Sequence, residues 1–313
     1  MTEFFRIDDS ERRLARETGR CRTMGVDGLR ARGRALAALQ SPCVLCPREC
    51  GAARARDDVG FCGIGATARV ASWGLHFGEE AALVGRGGSG TVFLAGCSLG
   101  CVFCQNHTIS HHREGELAGV DQLAAMMIEL QTQGAENINW VTPTHVVPQL
   151  VSALARAVDE GLSIPVVYNC GGYESLEVLA LLDGIVDIYL PDAKFADRSV
   201  AAELCGAPDY FARACRAIRL MHRQVGPLRL SDRGVATSGV LVRHLVMPNG
   251  CAGSAAWGRA LYHITDGTGV VNVMGQYRPE FRAERVRCIA RRPTHSEIND
   301  ARGQIGAWVH LVD

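Results

Sequence analysis

Three cysteines in the order C-x-x-x-C-x-x-C, Cys97, Cys101 and Cys104, are the residues of this 313-residue chain whose type and spacing most directly specify chemistry. Thiolates this close can hold three irons of a four-iron, four-sulfur cube, because such cubes are bound by cysteine sulfur. A loop with three ligands leaves one iron open to a small chelating molecule, as an open zinc position takes substrate. The competing reading is a chance run among thirteen cysteines, or half of a zinc site. Against it stands the apolar run directly before the triplet, Thr91-Val92-Phe93-Leu94-Ala95, which reads as a strand. A second group, Cys43, Cys46, Cys50 and Cys62, has the spacing C-x2-C-x3-C-x11-C. That spacing suits a tetrathiolate zinc or an iron–sulfur cluster, and the sequence does not decide between them. The bland alternative is four small buried hydrophobes, since free cysteine often behaves that way.

The elements that must position these residues alternate strand with helix from residue 90 onward. Strand expectations are 91–95, 137–142, 164–169, 185–190, 240–247 and 269–274, whose apolar, β-branched character fits strands covered on both faces. Amphipathic helices are expected at 122–133 (with Asp121 as cap), 147–160, 174–182, 198–205, 209–224 and 253–264. Six β/α units give an α/β fold with a parallel sheet, either doubly wound or curled into an open barrel. The expected division is a helical and Cys-rich N-terminal region over 1–88, a barrel core over 89–290, and a helix and tail over 291–313. Residues near 10 to 40 read as helix, and 68–84 as a hairpin or extended approach. The glycine run 85–90 precedes a strand and opens no helix, so it fails the context of a dinucleotide loop.

Several strand ends carry chemistry-bearing residues, which is where barrels of this kind place their sites. Asp192 and Lys194 lie two apart on an extended segment and so point the same way, able to meet opposite ends of a zwitterion; a surface ion pair is the alternative. Arg243 sits inside an apolar strand, where an unpaired guanidinium is costly to bury, so it is expected at the barrel mouth holding a carboxylate, with His244 facing the other way. Asn169 precedes the pair Gly171-Gly172, which permits either close backbone approach to a ligand or an ordinary tight turn.

Lys+Arg and Asp+Glu both number 33, so the formal charge is zero and no nucleic-acid footprint is expected. No apolar run reaches the length of a membrane span, and the N-terminus lacks an apolar stretch of signal-peptide length. A cytoplasmic protein is therefore expected, in which clustered cysteines serve metal or redox chemistry rather than disulfides.

The ordered motifs Cys-x-x-Cys-Pro-Arg-x-Cys, Gly-Cys, Cys-x-Phe-Cys-Gln-Asn, Val-Thr-Pro-Thr-His, Tyr-x-Pro-Asp-x-Lys, Met-His-Arg-Gln-Val-Gly and Val-Arg-His-Leu-Val carry a family resemblance. Over residues 40–285 the chain resembles an iron–sulfur branch of the radical S-adenosylmethionine (SAM) superfamily, the branch named for its likeness to pyruvate formate-lyase activating enzyme. The resemblance implies a partial (β/α)6 open TIM-type barrel and a small Cys-rich N-terminal metal-binding region. It implies a [4Fe-4S] cluster on Cys97, Cys101 and Cys104, with SAM on the open iron. One electron from the cluster would split SAM into methionine and a 5′-deoxyadenosyl radical that takes a hydrogen atom from a substrate. Phe103 falls where the family commonly has an aromatic beside the adenine. The family often has a Gly-Gly-Glu turn for the SAM amino group; here Pro143-Thr144-His145 stands instead, so Thr144 or His145 takes that role or His145 simply begins a helix. Asn169, Asp192, Lys194, Arg243 and Gln276 complete the implied SAM set. An external flavodoxin- or ferredoxin-like electron donor is implied as partner. The resemblance leaves open a glycyl-radical activase-like reaction on a protein, radical modification of a small molecule or peptide, and, in a different class, a non-catalytic iron–sulfur or zinc protein.

Overall fold

The computed structural model describes residues 19–312; the expected helical stretch from 10 to 18 lies outside the described residues. Helix α1 (Arg20–Ala38), kinked at Gly25, is anchored at its start by Asp187. The Asp187 carboxylate accepts from the Arg20 amide at 2.7 Å and from the Val166 amide at 2.8 Å. Strand β1 (Ala68–His76) then runs antiparallel to β2 (Ser89–Leu94), and between them lies a one-turn helix, α2 (Ala81–Val84). The hairpin or extended segment expected over 68–84 is thus a single strand followed by a helical turn.

Beyond β2 come α3 (His107–Ser110), β3 (Glu116–Ala118), which pairs antiparallel with β1, and α4 (Val120–Thr132). The remaining elements are β4 (Ile138–Val141), α5 (Val147–Asp159), β5 (Val166–Cys170), α6 (Leu176–Leu181), β6 (Ile188–Pro191), α7 (Arg198–Cys205), α8 (Tyr210–Val225), β7 (Arg229–Leu230), β8 (Ala236–Leu245), α9 (Ser254–Thr265), β9 (Val270–Met274), α10 (His295–Gly306) and β10 (His310–Val312). The expected strands and helices recur within a few residues. Asp121 is not the cap of α4: Gly119 stands at that position, and its amide donates to Gln122 Oε1 at 2.9 Å. Asp121 instead pairs with Arg156 at 2.7 Å.

The sheet has ten strands, ordered β10-β9-β8-β6-β5-β4-β2-β1-β3, with β7 beside β8. From β2 to β10 neighbouring strands along this path are parallel, each reached by a helical crossover. The sheet is open, ending at β3 on one side and β10 on the other. Residues 68–76 and 310–312, from the N-terminal region and the tail, form strands of this same sheet.

Side-chain alternation explains why near-continuous apolar strands form here. Trp140, Tyr168, Tyr189, Val240 and Val242 belong to the main core shared with the helices. Val167, Ile188, Leu190 and Leu241, on the opposite strand faces, form a separate cluster with Leu83 of α2. The second face therefore lines a lumen, and α2 plugs it near the strand N-termini, where β2 begins. Polar residues on the lumen face, Asn139, Asn169, Arg243 and Asn272, alternate with these apolar ones along the same strands.

Candidate active site

The cysteine triplet follows β2 directly, so the lumen-lining sheet presents it at the C-terminal end of its first parallel strand. Gly96 makes the turn possible: its φ is +82°, and a Cβ there would lie 2.6 Å from Ile64 and 2.8 Å from the Cys62 carbonyl. The sulfurs are met by donors. Cys97 Sγ accepts from the Leu99 amide at 3.3 Å, and Cys104 Sγ from the Ser110 hydroxyl at 3.2 Å. Donors aimed at sulfur are the surroundings of a bound iron–sulfur cluster rather than of a packed apolar cysteine. Burial, with Cys101 and Cys104 adding to it, pushes the Cys97 thiol up to about 12. A thiol so placed ionises only against a cation, which a metal cluster supplies. The donor set therefore fits a [4Fe-4S] cluster. One neighbour was not singled out by spacing: Cys205, at the end of α7, lies beside Cys101 and donates to the Ala201 carbonyl at 3.1 Å.

Asp192, Lys194, Arg243 and Asn169 come together at the ends of β5, β6 and β8. Lys194 Nζ lies 2.6 Å from Asp192 Oδ2, and Arg243 Nε lies 3.1 Å from Asp192 Oδ1. Arg243 Nη2 donates to Asn169 Oδ1 at 2.6 Å. Burial alone would raise the Asp192 carboxyl; Lys194 and Arg243 outweigh it and hold the group below the usual carboxylate range. Burial would likewise lower Lys194, but Asp192 and the Cys101 thiol beside it carry its ammonium upward. The surface ion-pair alternative for Asp192 and Lys194 does not describe this pair, since each side chain is less than a fifth exposed. The strand end is braced by Tyr210, whose hydroxyl lies 2.8 Å from the Gly171 carbonyl and 2.7 Å from that of Asp192, and accepts from the Lys194 amide at 3.1 Å. Gly172, at φ +79°, leaves room for the Asp192 carbonyl where a Cβ would collide. Close backbone approach is thus what the paired glycines provide, and the approaching group is the neighbouring strand.

Other expected residues lie elsewhere in the architecture. His145 is buried, and its Nε2 bonds the Ala95 carbonyl at 2.8 Å, which supports the start of the cysteine loop. Burial lowers its pKa to about 4, so the ring is neutral. Thr144 donates to Glu174 Oε1 at 2.9 Å, and Tyr168 donates to Glu174 Oε2 at 3.0 Å. Phe103 packs edge-on against Phe195 and Tyr277, with ring centroids 5.7 and 6.0 Å away. Gln276 is exposed just beyond β9. His244 faces away from the lumen, as expected: Nδ1 donates to the Ala193 carbonyl at 2.7 Å and Nε2 accepts from Ser254 at 2.9 Å.

Two arginines join the N-terminal cysteine group to the barrel. Arg48, within Cys-Pro-Arg-x-Cys, donates to the carbonyls of Ser98 and Leu99 at 2.9 Å each and of Cys205 and Gly206 at 2.6 Å each. Its guanidinium also lies 4.0 Å over the Phe61 ring. Arg54 is fully buried and donates to the carbonyls of Gly65 and His145 and to Cys43 Sγ at 3.9 Å. Among the described residues no carboxylate pairs with it. A buried guanidinium needs compensating partners, and the side chain it reaches is the Cys43 sulfur. Cys43, Cys46 and Cys62 are buried and Cys50 is exposed. Among the described residues no three His, Cys, Asp or Glu side chains converge on the position of a single metal ion, at the triplet or at this second group.

Glu79, Glu80 and Asn272, which no motif marked, also belong to the lumen. Arg243 Nη1 lies 3.7 Å from Glu79 Oε2, and Asn272 Nδ2 donates to Glu80 Oε1 at 3.1 Å. The two acidic residues precede α2 and reach the Arg243 strand only through the fold; their sequence neighbourhood, Phe77-Gly78-Glu79-Glu80-Ala81, has no distinctive spacing.

Residues 91–241 match the Radical SAM superfamily. An uncharacterised protein of Methanocaldococcus jannaschii is 34% identical over 269 residues, which span 83% of this chain and 72% of that protein. Among solved structures, native anSMEcpe with bound AdoMet and Cp18Cys peptide aligns at a TM-score of 0.43 and 11% identity, over 69% of this chain and 60% of that one. Streptococcus suis SuiB aligns at a TM-score of 0.41 and 12% identity, over 69% of this chain and 46% of that one. This chain thus spans less than two thirds of either solved structure. No described helix is long and apolar enough to cross a membrane. Enzymes of the matched family work with a [4Fe-4S] cluster, SAM and an electron donor. By its matched core and its relative, this chain belongs to the radical SAM superfamily.

Proposed function

We propose that Cys97, Cys101 and Cys104 hold a [4Fe-4S] cluster and that the strand ends around Asp192, Lys194 and Arg243 hold SAM. The observation that carries this reading is the juxtaposition of the triplet with the Asp192–Lys194 pair: Leu99, between Cys97 and Cys101, and the Lys194 side chain lie 3.4 and 4.0 Å from the same point, where a Cβ on Gly171 would stand. When bound, the cluster and SAM supply one-electron cleavage of SAM to a 5′-deoxyadenosyl radical, which takes a hydrogen atom from substrate. The chain's own part is placement. Lys194 and Asp192 offer a cation and a carboxylate, side by side, to the zwitterionic end of SAM. Arg243 orients Asp192 and Asn169 and keeps the carboxylate ionised. Tyr210 fixes the backbone that carries them, and His145 fixes the backbone that opens the cysteine loop. The apolar lumen cluster and α2 exclude water from below.

Within this class the closest motif resemblance is to activating enzymes that act on a protein. Modification of a small molecule or peptide is the other outcome, and an oxygen-sensitive glycyl radical on a co-purified partner separates the two. Cys43, Cys46, Cys50 and Cys62 form a second metal site in this reading, supported by the buried, carboxylate-free Arg54. The deciding experiment is anaerobic reconstitution, reduction with dithionite and chromatographic assay of 5′-deoxyadenosine. Wild-type protein forms it from SAM, and Cys101→Ala does not. Absence of product from a fully reconstituted wild-type cluster, or product persisting in the variant, refutes the assignment.

A further inference from the structure

The segment after β9 departs from the charge balance of the chain. Residues 278–292 contain six arginines and two glutamates, in a chain whose formal charge is zero. Arg278 pairs with Glu280 at 2.8 Å, and Arg291 with Glu297 at 2.8 Å. Arg282, Arg285 and Arg287 are exposed, and among the described residues none of them has a carboxylate partner. Local structure explains why they point outward. Two 3-10 helical turns, Ala283–Arg285 and Arg287–Ile289, make up this stretch, and such a turn repeats every three residues. Ala283 and Ile289 are fully buried and Val286 packs against the core, so every third residue faces inward and the arginines between them face solvent.

The segment is clamped onto the cysteine loop. The Arg282 amide donates to the Val102 carbonyl at 2.9 Å, and Tyr277 packs edge-on against Phe103. Phe281 sits at φ +55°, a conformation costly for a bulky side chain. Its ring stacks on His107 and tilts against His111, with centroids 5.1 and 4.5 Å away. The Arg282 guanidinium lies 4.7 Å over the same ring. His111 Nε2 in turn donates to the Cys101 carbonyl at 3.0 Å. Phe61, 48% exposed, and His111 lie 3.1 and 3.9 Å from the point where a Cβ on Gly100 would stand. One continuous surface therefore runs from Phe61 over Gly100 and His111 to Phe281 and the arginines, beside Cys101. A substrate must meet SAM at the strand ends. A partner on this surface meets the cysteine loop itself, as an electron carrier must.

We propose that Arg282, Arg285 and Arg287, with Phe61 on the same surface, form the docking site of an acidic electron-carrier protein. This rests on the cluster assignment proposed above. The test is anaerobic stopped-flow mixing of the reconstituted protein with a reduced plant-type ferredoxin, an acidic carrier. One electron leaves the ferredoxin iron–sulfur centre and enters the cluster on the triplet, and no proton moves. Reduction of wild type is expected to slow as salt is raised, because steering between opposite charges is screened. The triple variant Arg282→Glu/Arg285→Glu/Arg287→Glu should be slower by about tenfold or more. Arg216→Glu/Arg219→Glu/Arg223→Glu, the same change of net charge on exposed positions of α8, should lose far less. Dithionite should reduce all three proteins fully, which shows their clusters to be intact. The proposal is overturned if the two variants slow equally, if salt has no effect, or if ferredoxin fails to reduce a cluster that dithionite reduces. Calorimetric titration with oxidised ferredoxin reads the docking without electron transfer. Binding lost in the Arg282 triple variant and kept in the α8 variant leaves this surface standing even where no 5′-deoxyadenosine forms, a result that removes the radical reading instead. Equal binding by both variants overturns the proposal.

Discussion

Replacing Arg48 with lysine isolates the link between the N-terminal region and the loop proposed to hold the cluster. The charge is kept, but the planar fork that reaches four carbonyls is lost. A lysine ammonium on a flexible stem can satisfy two of those carbonyls at best. Two charge-assisted bonds at about 1.5 kcal/mol each, and about 0.5 kcal/mol for the half-exposed contact with Phe61, give a loss near 3.5 kcal/mol. Equilibrium urea unfolding of the reconstituted protein under anaerobic conditions measures that loss, and the iron retained after desalting measures its effect on the loop. Because Ser98 and Leu99 lie between Cys97 and Cys101, Arg48→Lys should release iron from the triplet faster than wild type. Arg48→Ala should do so more severely. If Arg48→Lys unfolds within about 1 kcal/mol of wild type and retains iron equally, the four carbonyl contacts do not fix the loop.

Further outcomes test other parts of the site. Burial raises the Glu174 carboxyl to about 7 from an ordinary 4.5, so the folded chain binds more protons than the unfolded one between those values. Stability should therefore fall as pH rises through this window, by about 3 kcal/mol from this group. Glu174→Gln should remove its part of the slope in urea midpoints measured from pH 5 to 8, leaving the part due to Asp187, which burial raises likewise to about 7. Gly172→Ala combines φ +79° with a collision at the Asp192 carbonyl; it should lower the melting temperature and weaken SAM binding in equilibrium dialysis, and an unchanged SAM affinity would show that Asp192 is not held through this turn. A triple alanine variant at Cys97, Cys101 and Cys104 should keep metal on the N-terminal cysteines, counted as iron and zinc; loss of all metal would refute an independent second site.

Much of this architecture was legible in the sequence because its determinants are local. The strands carry β-branched runs, and the helices carry apolar spacing and end at glycines such as Gly134 and Gly161. The triplet, the Asp192–Lys194 pair and the inward orientation of Arg243 could be read from spacing and alternation. Contacts that depend on tertiary approach could not. Glu79 and Glu80 meet Arg243 and Asn272 across more than 160 positions of chain, and Cys205 meets Cys101 across about a hundred. His145 illustrates the ambiguity of residue type alone: a turn histidine beside a strand end suits a ligand or a prop, and only burial and the bond to Ala95 show it bracing the loop. Asp121 lost the cap of α4 because Gly119 and Gln122 close the first turn two residues earlier.

An open sheet must also end without inviting another chain to continue it. The terminal strands here, Glu116–Ala118 and His310–Val312, are three residues each. A strand that short offers few free backbone groups to a passing strand, and Glu116, exposed on one of them, adds charge at that margin. The barrel can therefore leave its side open for a bulky visitor while its two margins remain poor templates for edge-to-edge aggregation.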